Sequence, residues 1–282
     1  MIYYANIWTP SLSAPSPLSA VLDAAERAGR LNLSLQDLRA ALPHSSPDAL
    51  RQALHRQQRR GRLIRLSRGA EHWLIVPLQH ANAGAPPLET WLDRYMSRTL
   101  GLTYHVGMLS AAEIYGAAPW AVMVTQVMVA ERRRSITVGR HRLLFHVCAH
   151  IERLPARWHE TPDGRFRVAT PELTALQIVQ KESQLGGMAR VHEVLGRLYP
   201  ACTPEGVMQA LKAMDETPTA QRLGSLVARD GQQALAHTVL QWLSDRAFRA
   251  VPLERTSMKS DGTELDRQFK VRWPAHLASA GT

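Results

Sequence analysis

Ser46-Pro47-Asp48-Ala49-Leu50-Arg51-Gln52-Ala53-Leu54-His55-Arg56-Gln57-Gln58-Arg59-Arg60-Gly61 is the stretch whose reading decides the N-terminal fold. Ser46 is a helix cap. Pro47 sits at the first helical position, where a missing N–H costs nothing, and Asp48 complements the positive end of the helix dipole. Leu50 and Leu54 face inward, and Gly61 ends the helix. The outward positions are Arg51, Gln52, His55, Arg56, Arg59 and Arg60. Positions 52, 55, 56 and 59 share one face, because neighbours on a helix lie three and four residues apart.

Working outward, Pro17-Leu18 opens an earlier helix with Leu18, Val21, Leu22 and Ala25 on one face, ending at Gly29. Ser34 caps a second helix, with Asp37 as its capping-box partner; Leu35, Leu38 and Leu42 form its apolar face and Pro43 stops it. Downstream of Gly61 come two short apolar alternations, Leu63 to Leu66 and His72 to Ile75, joined by Ser67-Arg68-Gly69-Ala70-Glu71 as a hairpin loop. Three helices followed by a hairpin spell a winged helix-turn-helix over residues 1–76, with an N-terminal extension. In that fold the third helix enters a major groove, where arginine pairs with guanine and glutamine with adenine. Arg65 and Arg68 lie on or beside the wing, where a flanking phosphate or the minor groove runs.

Charge points the same way. Lys+Arg 34 against Asp+Glu 24 gives +10, and only four of the 34 are lysines. The arginine fork holds phosphate or a guanine edge with two hydrogen bonds. Residues 1–80 carry ten arginines and five acids, so this short segment holds half of the net charge. From Ser46 to His72 there are seven arginines and two acids, with no acidic i,i+4 partners on the third helix. A solvated helical face is the bland alternative for that helix, and docking of a protein partner is the other use of a winged helix.

Pro77 to Pro87, PLQHANAGAPP, reads as a linker. The domain that follows spans 88–274, with a fraying tail over 275–282. Residues 88–116 read as two helices, Leu88 to Leu100 and Val106 to Gly116. Ala121 to Ala130, Ser135 to Val138, Arg142 to Val147 and Phe166 to Ala169 read as strands. Helices follow at about 171–181, 187–198, 203–214, 218–229 and 232–247, then a last strand, Gln268 to Trp273. Strands grouped before helices make this domain α+β. Glu131-Arg132-Arg133-Arg134 is a basic turn; its alternatives are a DNA contact and an ordinary solvated hairpin tip.

Two cysteines, Cys148 and Cys202, exclude a disulfide scaffold and fit a reducing, cytoplasmic setting. No apolar run reaches about 18 residues, so no membrane contact is expected, and residues 1–17 do not read as a secretory signal.

Tyr104-His105-Val106-Gly107-Met108-Leu109-Ser110-Ala111-Ala112-Glu113-Ile114-Tyr115-Gly116-Ala117-Ala118 resembles the AbiEi family of antitoxins. So do Arg167-Val168-Ala169-Thr170-Pro171-Glu172-Leu173-Thr174-Ala175-Leu176-Gln177-Ile178-Val179, Gln221-Arg222-Leu223-Gly224 and Val251-Pro252-Leu253. They fall in the family's order across most of residues 88–255. The resemblance implies an antitoxin of a type IV toxin–antitoxin (abortive infection) system. Such a protein represses its own operon at inverted repeats in double-stranded promoter DNA and opposes an AbiEii-like nucleotidyltransferase toxin without a stable complex. It also implies that both domains contribute basic residues to DNA, which gives Arg132, Arg133 and Arg134 a possible role. The alternative is a protein-interaction module whose large domain carries antitoxin activity without sequence-specific DNA binding.

No catalytic residue, metal ligand or cofactor is expected. His146, Cys148 and His150 alternate along a strand, but ligands at i, i+2 and i+4 spread over about 13 Å at roughly 3.3 Å per residue. Zinc bonds of about 2.0–2.3 Å cannot gather all three unless the strand bends. Gly224-Ser225 lacks the following Asp-x-Asp pair of a nucleotidyltransferase and reads as helix packing. No Walker A, GxSxG or HExxH motif is present.

Overall fold

The computed structural model describes residues 16–66, 71–255 and 264–278, and it divides into two compact units, Met1–Pro86 and Pro87–Thr282.

The first unit runs α1 (Pro17–Arg27), β1 (Asn32–Ser34), α2 (Leu35–Ala41), α3 (Pro47–Arg59), β2 (Leu63–Arg65) and β3 (His72–Ile75). Each helix starts on a serine whose oxygen accepts a backbone N–H two or three residues into the helix. Ser16 serves Ser19, and Ser46 serves Ala49 at 3.2 Å. Ser34 and Asp37 close a full capping box, at 3.0 and 2.8 Å. The three strands form an antiparallel sheet in the order β1-β3-β2. β1 is absent from the sequence reading; three residues are too few to show a period-2 alternation. Leu18, Leu22, Leu38, Leu50, Leu54, Leu63, Trp73 and Ile75 form one core.

The second unit is mixed α and β. Its main sheet has six strands in the order β6-β7-β5-β4-β9-β8. These are β4 (Tyr104–Val106), β5 (Thr125–Val129), β6 (Ile136–Val138), β7 (His141–Val147), β8 (Ala156–Thr161) and β9 (Gly164–Ala169). The β4–β9 and β5–β7 pairs are parallel, and the rest are antiparallel. Six helices accompany it: α4 (Met108–Ile114), α5 (Pro171–Gln180), α6 (Met188–Leu198), α7 (Pro204–Met214), α8 (Thr217–Arg229) and α9 (Gln233–Leu243). Every residue of α5 from Pro171 to Val179 is buried, which makes it the central helix. A small sheet, β10 (Val251–Pro252), β11 (Glu264–Asp266) and β12 (Val271–Trp273), packs on α8, and α10 (Ala275–Ala278) follows.

Residues 88–116 correct the first of the two expected helices and shorten the second to α4. Leu88–Thr90 is a 3-10 turn, Arg94–Thr99 is a π-helical stretch, and Tyr104–Val106 is a central strand. A buried apolar run carries no periodicity that separates helix from strand, and Gly107 marks the change between them. A Cβ there would lie 2.5 Å from Gln177 Oε1 and 2.8 Å from Met128 Cγ. β8 was also unforeseen. It is an edge strand with Arg157, Trp158 and Glu160 exposed, so it lacks the apolar run that marks a central strand.

Candidate nucleic-acid interface

Leu50, Leu54 and Gln57 bury one side of α3. Gln57 Nε2 donates to Ser19 Oγ of α1 at 2.9 Å. The opposite side is left to solvent, and Arg51, Gln52, His55, Arg56, Arg59 and Arg60 are all exposed. Arg51 pairs with Asp48 at 2.8 Å, so the acidic partner of this helix stands at i,i+3 rather than i,i+4. Both side chains are 78% exposed, so the pair holds Arg51 only weakly. Arg56 and Arg59 occupy the last turn of α3, where their charge complements the negative end of the dipole. Arg65, at the end of β2, is exposed. Arg68 lies outside the described residues.

The nearest arginine in sequence behaves differently. Arg62 Nη2 lies 2.5 Å from Asp23 Oδ1 and 3.0 Å from Glu26 Oε2, both on α1. Asp23 and Glu26 are thereby engaged by Arg62, and Asp48 is the one acid on α3. The outer face of α3 therefore presents a positive field.

The basic turn in the second unit is not uniform. Arg132 and Arg134 are exposed, whereas Arg133 is half-buried and its Nε lacks a hydrogen-bond partner. Burial raises the Tyr95 phenol pKa, and the Arg133 charge pulls it back. A second basic feature escaped the sequence reading. Trp158 on β8 is 41% exposed, with the Arg165 guanidinium 4.5 Å and that of Arg167 5.6 Å from its ring centroid. The signal was the Arg-x-Arg alternation on β9, which becomes legible only once β8 is known to pair with it.

The strings that carried the resemblance lie inside. His105 is 1% exposed, and its pKa is pushed down to about 3, by burial first and the Arg167 charge second. Gln177 Nε2 donates to His105 Nε2 at 2.9 Å, which places the neutral ring's proton on Nδ1. Gln177 Oε1 accepts the Met108 N–H at 3.2 Å, and Gln126 Oε1 accepts those of Leu109 and Ser110 at 2.8 and 3.3 Å. Two glutamines thus cap α4, whose own N-cap, Gly107, has no side chain to do so. Glu172 accepts the Thr203 N–H at 2.9 Å and ties α5 to the start of α7. Arg222 donates to Pro252 O at 2.9 Å, joining two of the strings. Gly224 packs under Phe269, and Ser225 Oγ donates to Asp266 at 2.6 Å while accepting the Trp273 indole N–H at 2.8 Å.

None of these contacts assembles a nucleophile beside a base. His192 Nε2 reaches Asp230 at 2.7 Å, and Tyr199 donates to the same carboxylate at 2.8 Å, which links α6 to the end of α8. Cys148 and His150 lie beyond the end of β7, and His150 has a left-handed backbone (φ 52) that takes it out of the strand's alternation. Among the described residues no group of three His, Cys, Asp or Glu side chains is placed to hold a metal ion. Burial raises both thiol pKa values, that of Cys202 to about 12, so neither is a ready thiolate. No described helix is long and apolar enough to cross a membrane.

Residues 105–229 match the family described as the AbiEi antitoxin C-terminal domain. No curated protein matches the chain. Among solved structures, the crystal structure of the RV2827C protein from Mycobacterium tuberculosis is similar, with a TM-score of 0.61 and 17% identity over 93% of this chain and 92% of that one. At that identity the likeness is one of fold.

Proposed function

We propose that this chain, whose residues 105–229 form an AbiEi antitoxin C-terminal domain, is a DNA-binding autorepressor and type IV antitoxin. The AbiEi domain supports the antitoxin role. The observation that carries the DNA reading is the outer face of α3, where Gln52, His55, Arg56, Arg59 and Arg60 stand exposed together, with Arg65 on the adjoining β2. In this reading the first unit is a winged helix-turn-helix: α3 enters the major groove, the β2–β3 pair runs along the backbone, and Arg68 is a proposed further contact. Arg132 and Arg134, with Arg133 set back, add phosphate contacts.

The DNA is the protein's own promoter, bound at inverted repeats. One such module buries only about 600–1,000 Å², so two copies on a repeat give the affinity that one does not. The toxin opposed is an AbiEii-like nucleotidyltransferase, countered without a stable complex, and the protein itself performs no catalysis. Footprinting on the DNA upstream of its gene, across a salt series and against a scrambled duplex, tests the reading. Protection of an inverted repeat that fades steeply with salt is the expected result. Uniform weak binding equal to the scrambled control overturns it.

A further inference from the structure

Beside the outer face of α3 the first unit has a groove of about 310 Å³. That is the lower end of the roughly 300–1,000 Å³ range of small-molecule sites. Leu35, Leu54 and Trp73 supply its apolar surface, and Arg39, Arg51 and Arg65 supply three guanidiniums against the single carboxylate of Glu71. Arg39 and Arg65 form no ion pair with a described residue, and Arg51 holds only the exposed Asp48. Trp73 is 6% exposed, and its indole N–H is buried without an acceptor. The ring therefore lines the groove as an apolar wall, and its enclosed indole N–H serves as a reporter of what lies against that wall.

We propose that this groove is a binding site for a small organic anion. A flat apolar body lies against Leu35, Leu54 and Trp73, and its acid group accepts from the guanidiniums at the rim, the pairing for which arginine's fork is shaped. Arg51 and Arg65 also belong to the DNA face argued above. Resting on that reading, the ligand and a DNA phosphate compete, and the site makes repression responsive to a metabolite.

The probe is benzoate, titrated into the full chain while the indole N–H region of the ¹⁵N spectrum is recorded. Benzyl alcohol and inorganic phosphate serve as body-only and charge-only controls. Trp73→Phe assigns the cross-peak, and the backbone amide peaks of residues 16–66 report whether the first unit of that variant stays folded. Benzoate is expected to shift the Trp73 peak saturably, and the controls are not. Arg39→Gln, an exposed substitution outside the DNA face, is expected to weaken benzoate binding about tenfold or more, the scale of one charge-assisted hydrogen bond. An unmoved Trp73 peak, or equal affinity in Arg39→Gln, overturns the site. That measurement contains no DNA, so it stands apart from the DNA reading. In a second titration, saturating benzoate is expected to weaken promoter-duplex binding; unchanged affinity with benzoate bound overturns the competition.

Discussion

The Arg62 guanidinium lies 2.5 Å from the Asp23 carboxylate and joins the segment after α3 to α1. Two residues earlier in sequence, Arg60 is exposed to solvent. Arginines two residues apart thus sit in different settings, and the difference is measurable. Arg62→Ala is expected to lower unfolding stability by about 1–2 kcal/mol, through loss of two charge-assisted bonds in a half-buried setting. Arg60→Ala should stay within about 0.5 kcal/mol of wild type. Equal denaturant midpoints for the two variants would dismiss the clamp.

Arg56→Ala combined with Arg59→Ala is expected to abolish sequence-specific DNA binding while leaving the melting temperature in place. Each lost phosphate contact should also reduce the slope of log affinity against log salt by about 0.9. A double variant that protects the promoter as wild type does would remove α3 from the recognition role.

Gly224 tests the packing of α8. A Cβ there would lie 2.2 Å from the Phe269 ring, so Gly224→Ala is expected to cost about 1–3 kcal/mol of stability by overpacking. Phe269→Leu in the same chain should recover part of that loss, because the two changes share one space. Additive losses in the double variant would mean the contact is not the cause.

His105 gives the fold a pH dependence. Its folded pKa, about 3, lies below the ordinary histidine value of 6.5, so the unfolded chain binds the extra proton first. The neutral ring's contribution is complete above pH 6.5 and is lost as pH falls towards 3. His105→Gln should flatten the decline in urea midpoint between about pH 6.5 and pH 4 relative to wild type. Parallel curves for the two proteins would assign that decline to other groups.

The capped helices were legible because their signals are local. Ser34-x-x-Asp37 and Ser46-Pro47-Asp48 announce themselves within a few residues, and so do Thr170-Pro171 and Thr203-Pro204. Strands β1 and β8 were not, since each is defined by the partner it pairs with: β1 by Leu33 against Trp73, β8 by Trp158 against Arg167. The same holds for the candidate sites. The exposed α3 face follows from helical spacing alone. The sorting of Arg133 from its neighbours, the stacking on Trp158 and the unpaired Trp73 donor all depend on contacts between distant segments. A strand and a helix also look alike when every residue is buried, which is why Val106 reads as the start of a helix in the sequence and closes a strand in the structure.

His105, Gln177, Arg222 and Gly224, which mark kinship, all point inward, whereas the α3 arginines point to solvent. The residues inside the family match are therefore core residues, and the exposed α3 face can change without disturbing them. If that face reads DNA, exchanging its side chains re-aims the protein while the packing that marks the match stays intact.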